Sequence, residues 1–134
     1  MSAKTVLIVE DNYDNRAIYT VALEIAGFQV IEAHNGEEGV QLARECRPDI
    51  IIMDLSMPVL DGWGAVQKLK SDPGTAHIPV LALSAHVVLN GDYRRSREAG
   101  FAAYLTKPVE PKQVVLEVQA HLASAPPLEE PPTP

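Results

Sequence analysis

Cysteine is almost missing from this chain. Cys46 stands alone among 134 residues, so no disulfide can close within the chain and nothing points to an oxidising compartment. Because it falls in an apolar helical stretch, Cys46 is expected as a small core or boundary side chain rather than a nucleophile. Long apolar runs are missing too. The longest are four to five residues, whereas a bilayer span needs about 20, and Met1-Ser2-Ala3-Lys4 leads into a strand-like run without the apolar region of a secretory signal. Neither membrane insertion nor export is expected, and a cytoplasmic setting is the simplest reading. Excess positive charge is absent: the formal net charge is −7 and stays negative without Glu129 and Glu130, which opposes binding to a phosphate backbone and argues against direct nucleic-acid contact. Histidines at metal-ligand spacing are absent as well. His34, His77 and His121 are scattered, are expected at the surface or its boundary, and give no indication of zinc.

What is present is one domain of ordinary size with 46% hydrophobic residues, enough for a buried core. Short apolar runs at about 5–9, 28–33, 49–53, 79–83 and 102–105 are rich in Val, Ile and Leu. They are too short for buried helices and read as covered parallel strands. Amphipathic stretches separate them. Ile18, Val21, Ala22 and Ile25 share one helical face, predicted to turn inward, and Gly27 offers a stop. Asn35 followed by Glu38 resembles a capping box, and the helix it opens ends at Arg47-Pro48. A third helix is predicted from Gly64 to Lys70 with Val66 and Leu69 inward, closed by Ser71-Asp72-Pro73-Gly74. Residues 87–99 predict a weaker helix, since Asn90 and Gly91 each cost roughly 1 kcal/mol relative to better helix formers, and this segment is expected to be the most mobile. The last helix starts near Pro111 and turns Val114, Val115, Val118 and Leu122 inward.

Each passage from strand to helix to strand requires a right-handed crossover, so the predicted fold is α/β: a doubly wound parallel sheet with helices on both faces. From Ser124 the composition changes to Ala-Pro-Pro-Leu-Glu-Glu-Pro-Pro-Thr-Pro. We expect a domain over 1–123 and an extended, disordered tail over 124–134, with a proline-rich docking peptide as the alternative.

The chemistry gathers at strand ends. Asp54 directly follows Ile50-Ile51-Ile52-Met53, Glu10-Asp11 follow Val6-Leu7-Ile8-Val9, Ser84 follows Val80-Leu81-Ala82-Leu83, and Lys107 stands two residues after Leu105. In an open parallel sheet such ends share one crevice. Any one of these acids alone reads as an ordinary turn aspartate. Together, three carboxylates would repel one another unless a cation favoured their ionised forms. All-oxygen ligation with few protein ligands suits Mg2+, which keeps waters and recruits phosphate. Lys107 and Ser84 would then supply a positive charge and a hydroxyl for phosphoryl oxygens.

These motifs, Val6-Leu7-Ile8-Val9-Glu10-Asp11-Asn12, Asp54-Leu55-Ser56-Met57-Pro58-Val59-Leu60-Asp61-Gly62, Leu83-Ser84-Ala85 and Tyr104-Leu105-Thr106-Lys107-Pro108, come in an order that resembles a response-regulator receiver domain of two-component signalling, of the single-domain, CheY-like type. The resemblance covers roughly residues 4–123. It implies a five-stranded sheet of order 2-1-3-4-5 with five helices. It further implies that Asp54 accepts a phosphoryl group from a sensor histidine kinase or histidine phosphotransfer protein, with Mg2+ held by Glu10, Asp11, Asp54 and the Ser56 carbonyl. Lys107 and Ser84 would bind the phosphoryl oxygens. Ser84 and Tyr104 would act as the switch, reshaping the surface of the fourth helix, fifth strand and fifth helix for a downstream protein effector or a phosphorelay. The Lys107-Pro108 bond is expected to be cis on the same grounds. Departures are modest: the acid pair is Glu-Asp where Asp-Asp is common, and a serine stands where threonine is also frequent. Ser56 and His86 occupy positions that tune phosphoryl lifetime in the family, and His86 alone reads as a solvated loop residue. Arg94, Arg95 and Arg97 read as a solvated face or as part of a partner surface.

Other classes fit less well. A Mg2+-dependent phosphatase of the haloacid-dehalogenase type needs a second acid two residues past its aspartate, where Ser56 stands. A flavin-binding domain of the same sheet order needs a phosphate-cradling loop after the first strand, where Glu10-Asp11-Asn12-Tyr13 repels phosphate. A receiver acting as a phosphorylation-independent binding module would be expected to have lost part of the pocket. No output domain is expected after the tail begins, so output should be protein contact or onward phosphotransfer.

Overall fold

The computed structural model describes residues 3–55, 62–84 and 100–124. Five strands, β1 (Thr5–Val9), β2 (Gln29–Ala33), β3 (Ile50–Asp54), β4 (Val80–Ser84) and β5 (Ala103–Thr106), pair in parallel in the order β2-β1-β3-β4-β5. Four helices lie among the described residues: α1 (Tyr13–Ile25), α2 (Gly36–Cys46), α3 (Gly62–Lys70) and α4 (Pro111–Ser124). The helix predicted over 87–99 lies outside the described residues, as do His86, the three arginines near it and residues 125–134.

The two faces of the sheet follow from the period of two along each strand. Leu7, Val9, Ile51, Met53, Val80 and Ala82 point to the side covered by α2 and α3, where Val40, Ala43, Val66 and Leu69 complete one core. Val6, Ile8, Ile50, Ile52, Leu81 and Leu83 point to the other side and meet Tyr19, Leu23, Val114 and Val118 from α1 and α4. The central strands β1, β3 and β4 are therefore apolar on both faces and buried along nearly their whole length. β2 and β5 are the edges, and their half-buried patterns correct the expectation that all five strands are fully covered.

Helix ends explain where each element stops. Asn12 caps α1, its side chain accepting from the Asn15 N–H at 2.9 Å. At the other end Gly27 takes φ +102°, and the Phe28 N–H donates to the Leu23 carbonyl at 3.0 Å, the arrangement that closes a helix through a left-handed residue. Asn35 caps α2 by accepting from the Glu38 N–H at 2.8 Å. Glu38 reaches one residue further back than a capping box requires, accepting from the His34 N–H at 2.6 Å. Arg47, left-handed at φ 48°, ends α2 before Pro48.

Two expectations are corrected. The Ile18, Val21, Ala22 and Ile25 stripe does not face the core: Ile18, Val21 and Ile25 are 52%, 54% and 82% exposed, and Arg16, Tyr19 and Leu23 are buried instead. Helical spacing shows which residues share a face but not which way it turns; the side is set by Tyr19 and Leu23 meeting Val6 and Ile8 and by polar contacts of Arg16. Cys46, expected in the core or at its boundary, is exposed at the very end of α2, past the inward-facing Gly36, Gly39, Val40 and Ala43.

Gly39 lets α2 approach β1 closely. A Cβ there would stand 2.7 Å from a Val9 methyl, and Val9 is fully buried with a stiff branched side chain. We therefore expect Gly39→Ala to lower stability by about 1–3 kcal/mol through overpacking, despite alanine's better helix propensity. Denaturant unfolding checks this, and an unchanged or raised midpoint contradicts it.

Candidate functional site

Strand order alone brings the acids together. β1 and β3 are neighbours, with Val9 paired to Met53, so Glu10 and Asp54 leave the sheet side by side; β4 lies next, with Asp54 paired to Leu83, and delivers Ser84. β5 follows, pairing Ser84 with Thr106 and carrying Lys107 just beyond. The backbone is tied here as well, the Lys107 N–H donating to the Ser84 carbonyl at 2.6 Å and the Leu55 N–H to the Leu83 carbonyl at 2.9 Å.

Glu10 is completely buried, Asp54 and Ser84 nearly so, and Asp11 is exposed at the mouth. Oxygens of Glu10, Asp11 and Asp54 lie within 4.8 Å of one another. Lys107 bridges two of the acids: its Nζ donates to Glu10 Oε1 at 3.1 Å and to Asp54 Oδ2 at 3.3 Å. The other Glu10 oxygen accepts from the Asn12 N–H at 3.2 Å. Burial first, and then the charge of Asp54, hold the Glu10 carboxyl up at about 7 instead of the ordinary 4.5. Burial would depress Lys107, but the charges of Asp54 and Glu10 outweigh it and raise its pKa. Burial likewise raises the Tyr19 phenol.

Of the residues singled out from the sequence, Glu10, Asp11, Asp54, Ser84 and Lys107 are brought to one end of the sheet, and Ser56 lies outside the described residues. Tyr104 is half-buried on β5, packed against the core on the α2 and α3 side. The Lys107-Pro108 bond is cis. Reasoning from sequence missed Asn12 and Arg16. Both had a legible signal: a capping residue directly after two acids, and a lone cation on the first helical turn, whose side chain leans back toward the helix start.

The raised Glu10 pKa fixes a pH dependence. Without divalent cations the folded state binds a proton at Glu10 more tightly than the unfolded state, so stability falls as pH rises from 4.5 to about 7 and levels off above, a loss of at most about 3 kcal/mol. Glu38 and Asp72, whose pKa values are lowered by backbone N–H donors, contribute below that window. Thermal melts in EDTA check this, and Glu10→Gln is expected to flatten the slope; an equal slope in the variant contradicts the assignment.

The response regulator receiver domain family model matches residues 6–119. The chain belongs to that family. Among relatives of this receiver domain, the polar-differentiation response regulator DivK of Brucella anthropi is 38% identical over 122 residues, covering 91% of this chain and 98% of its own. The receiver domain of a Pseudomonas aeruginosa sensor histidine kinase, solved with a magnesium ion coordinated in its active site cleft, superposes with a TM-score of 0.82 at 31% identity, over 92% of this chain and all of its own. A putative response regulator of Chloroflexus aurantiacus gives 0.84 at 33% identity, covering 91% and 99%. The expected sheet order and the two-component receiver fold thus hold. Among the described residues, no helix is long and apolar enough to cross a membrane.

Proposed function

We infer that this receiver domain is a phosphorylation-dependent signalling switch whose phosphoacceptor is Asp54. The observation that carries the reading is the Lys107 ammonium, 3.1 and 3.3 Å from Glu10 and Asp54, set beside an exposed third acid. The donor set suits Mg2+: all oxygen, mostly buried, with a carboxyl that burial and a like charge keep from ionising until a cation compensates. Glu10, Asp11 and Asp54, with the Ser56 carbonyl, would hold the ion. When bound, it neutralises charge on the phosphoryl oxygens and on the acids around them.

The residues of the chain do the rest. An Asp54 oxygen attacks phosphorus in line, the P–N bond of a partner's phosphohistidine breaks, and its electron pair returns to the imidazole nitrogen, leaving an acyl phosphate on Asp54. Lys107 gives up its contact with the Asp54 carboxylate for a phosphoryl oxygen, and Ser84 donates its hydroxyl to another. These contacts exist in one arrangement of the switch only, so they bias Ser84 and Tyr104 toward it and reshape the surface of β5 and the elements beside it. Slow loss of the phosphoryl group to water resets the domain. The donor is a sensor histidine kinase or a histidine phosphotransfer protein, and the output a downstream protein contact or a phosphorelay, in the cytoplasm. The switch resides in the domain over residues 1–123.

Phosphoramidate, a small donor with a P–N bond, tests the reading. One phosphoryl group is expected on the protein in Mg2+ and none in EDTA. Modification independent of divalent cations, or none in either, contradicts it.

A further inference from the structure

Glu10 is held at every polar group. Its N–H donates to the Ala33 carbonyl at 3.1 Å, its carboxylate accepts from Asn12 and Lys107, and its own carbonyl accepts from Arg16 Nη1 at 2.8 Å in a buried contact. Arg16 is only 5% exposed, an unusual place for a guanidinium, and it lies one turn into α1, where its N–H bonds the Asn12 carbonyl at 2.9 Å. The side chain folds back along the helix to reach the end of β1. Its Nε donates to Glu32 on β2 at 3.3 Å, and its guanidinium sits 5.6 Å from the Tyr13 ring centroid.

Resting on the metal-site reading above, we propose that Arg16 is a positioning residue for that site: it locks the Glu10-Asp11-Asn12 turn so that both acids meet Asp54 in ligating geometry. Its contact is with a backbone carbonyl, not with a ligand oxygen, so it fixes the turn without competing for the cation. Arginine serves the carbonyl from Nη1 and the carboxylate from Nε, two separate atoms of one rigid plane; the three donors of lysine share one nitrogen at the end of a flexible stem. A residue serving fold stability alone would alter the melting temperature while leaving cation affinity where it was.

The test follows Mg2+ binding by titration calorimetry and by the Mg2+-dependent rise in melting temperature. The wild type is expected to bind and Asp11→Asn to bind far more weakly; a wild type that does not bind overturns the metal-site reading itself. Arg16→Met, checked for native circular dichroism, is expected to bind Mg2+ about 10-fold more weakly, the scale seen when a group that orients a metal ligand is removed. Arg16→Lys, the substitute should the methionine variant fail to fold, is expected to fall between the two. Glu32→Gln, which keeps the carbonyl contact, is expected to stay within about twofold of wild type, as partly exposed ion pairs contribute little. Wild-type affinity in Arg16→Met or in a folded Arg16→Lys overturns the proposal, and so does a loss in Glu32→Gln equal to that in Arg16→Met.

Discussion

Asp54→Asn is expected to abolish phosphoryl uptake altogether while leaving the fold intact. The amide matches the carboxylate in shape but has no anionic oxygen to attack phosphorus, and the remaining buried acid, Glu10, is already held to Asn12 and Lys107. Among the described residues, no second carboxylate lies on β3 or directly follows it to take over. The same substitution removes the charge that is the second cause of the raised Glu10 pKa. In EDTA above about pH 7 the variant is therefore expected to be more stable than the wild type, because one of two repelling buried anions is gone. Phosphoryl uptake lost together with stability at that pH contradicts the account of the acid pair.

Lys107→Met is expected to have the second-largest effect, slowing phosphoryl uptake by about 10²–10³-fold, the usual result of removing one preorganised donor from a developing negative charge. Methionine keeps most of the stem volume, so the loss isolates the ammonium. The variant is expected to fold, since Glu10 can keep its proton where Lys107 no longer compensates it, and its stability in EDTA should fall more steeply as pH rises toward neutrality. Uptake from phosphoramidate at saturating Mg2+ measures the rate. A rate within about threefold of wild type contradicts a phosphoryl contact for Lys107 and leaves it a merely structural ion-pair partner.

Much of this arrangement was legible in the sequence because buried parallel strands leave a strong signature. Ile50-Ile51-Ile52-Met53 is apolar on both faces, so its end at Asp54 could be read to the residue, and Glu10 and Ser84 followed in the same way from Val9 and Leu83. The edge strands were less informative, since β5 is only half-buried along its whole length. The sidedness of α1 was misread because three of its four larger aliphatic residues, Ile18, Val21 and Ile25, lie on the outer face while an arginine and a tyrosine go inside with Leu23. Hydrophobicity ranks side chains by their own transfer energy and does not register that a buried guanidinium can be satisfied by a carbonyl and a carboxylate. The burial of Arg16 was hidden for that reason: its place on the first turn of α1 is legible, but its contacts to Glu10 and Glu32 exist only once β1, β2 and α1 have come together. Cys46 was misplaced for a simpler one, that an apolar stretch of helix still has an outer face.

The most direct measurement is the intact mass of the wild type and Asp54→Asn, treated side by side with phosphoramidate and Mg2+. The account predicts a single phosphoryl group on the wild type and none on the variant. An equal adduct on both proteins, or an unmodified wild type, contradicts it.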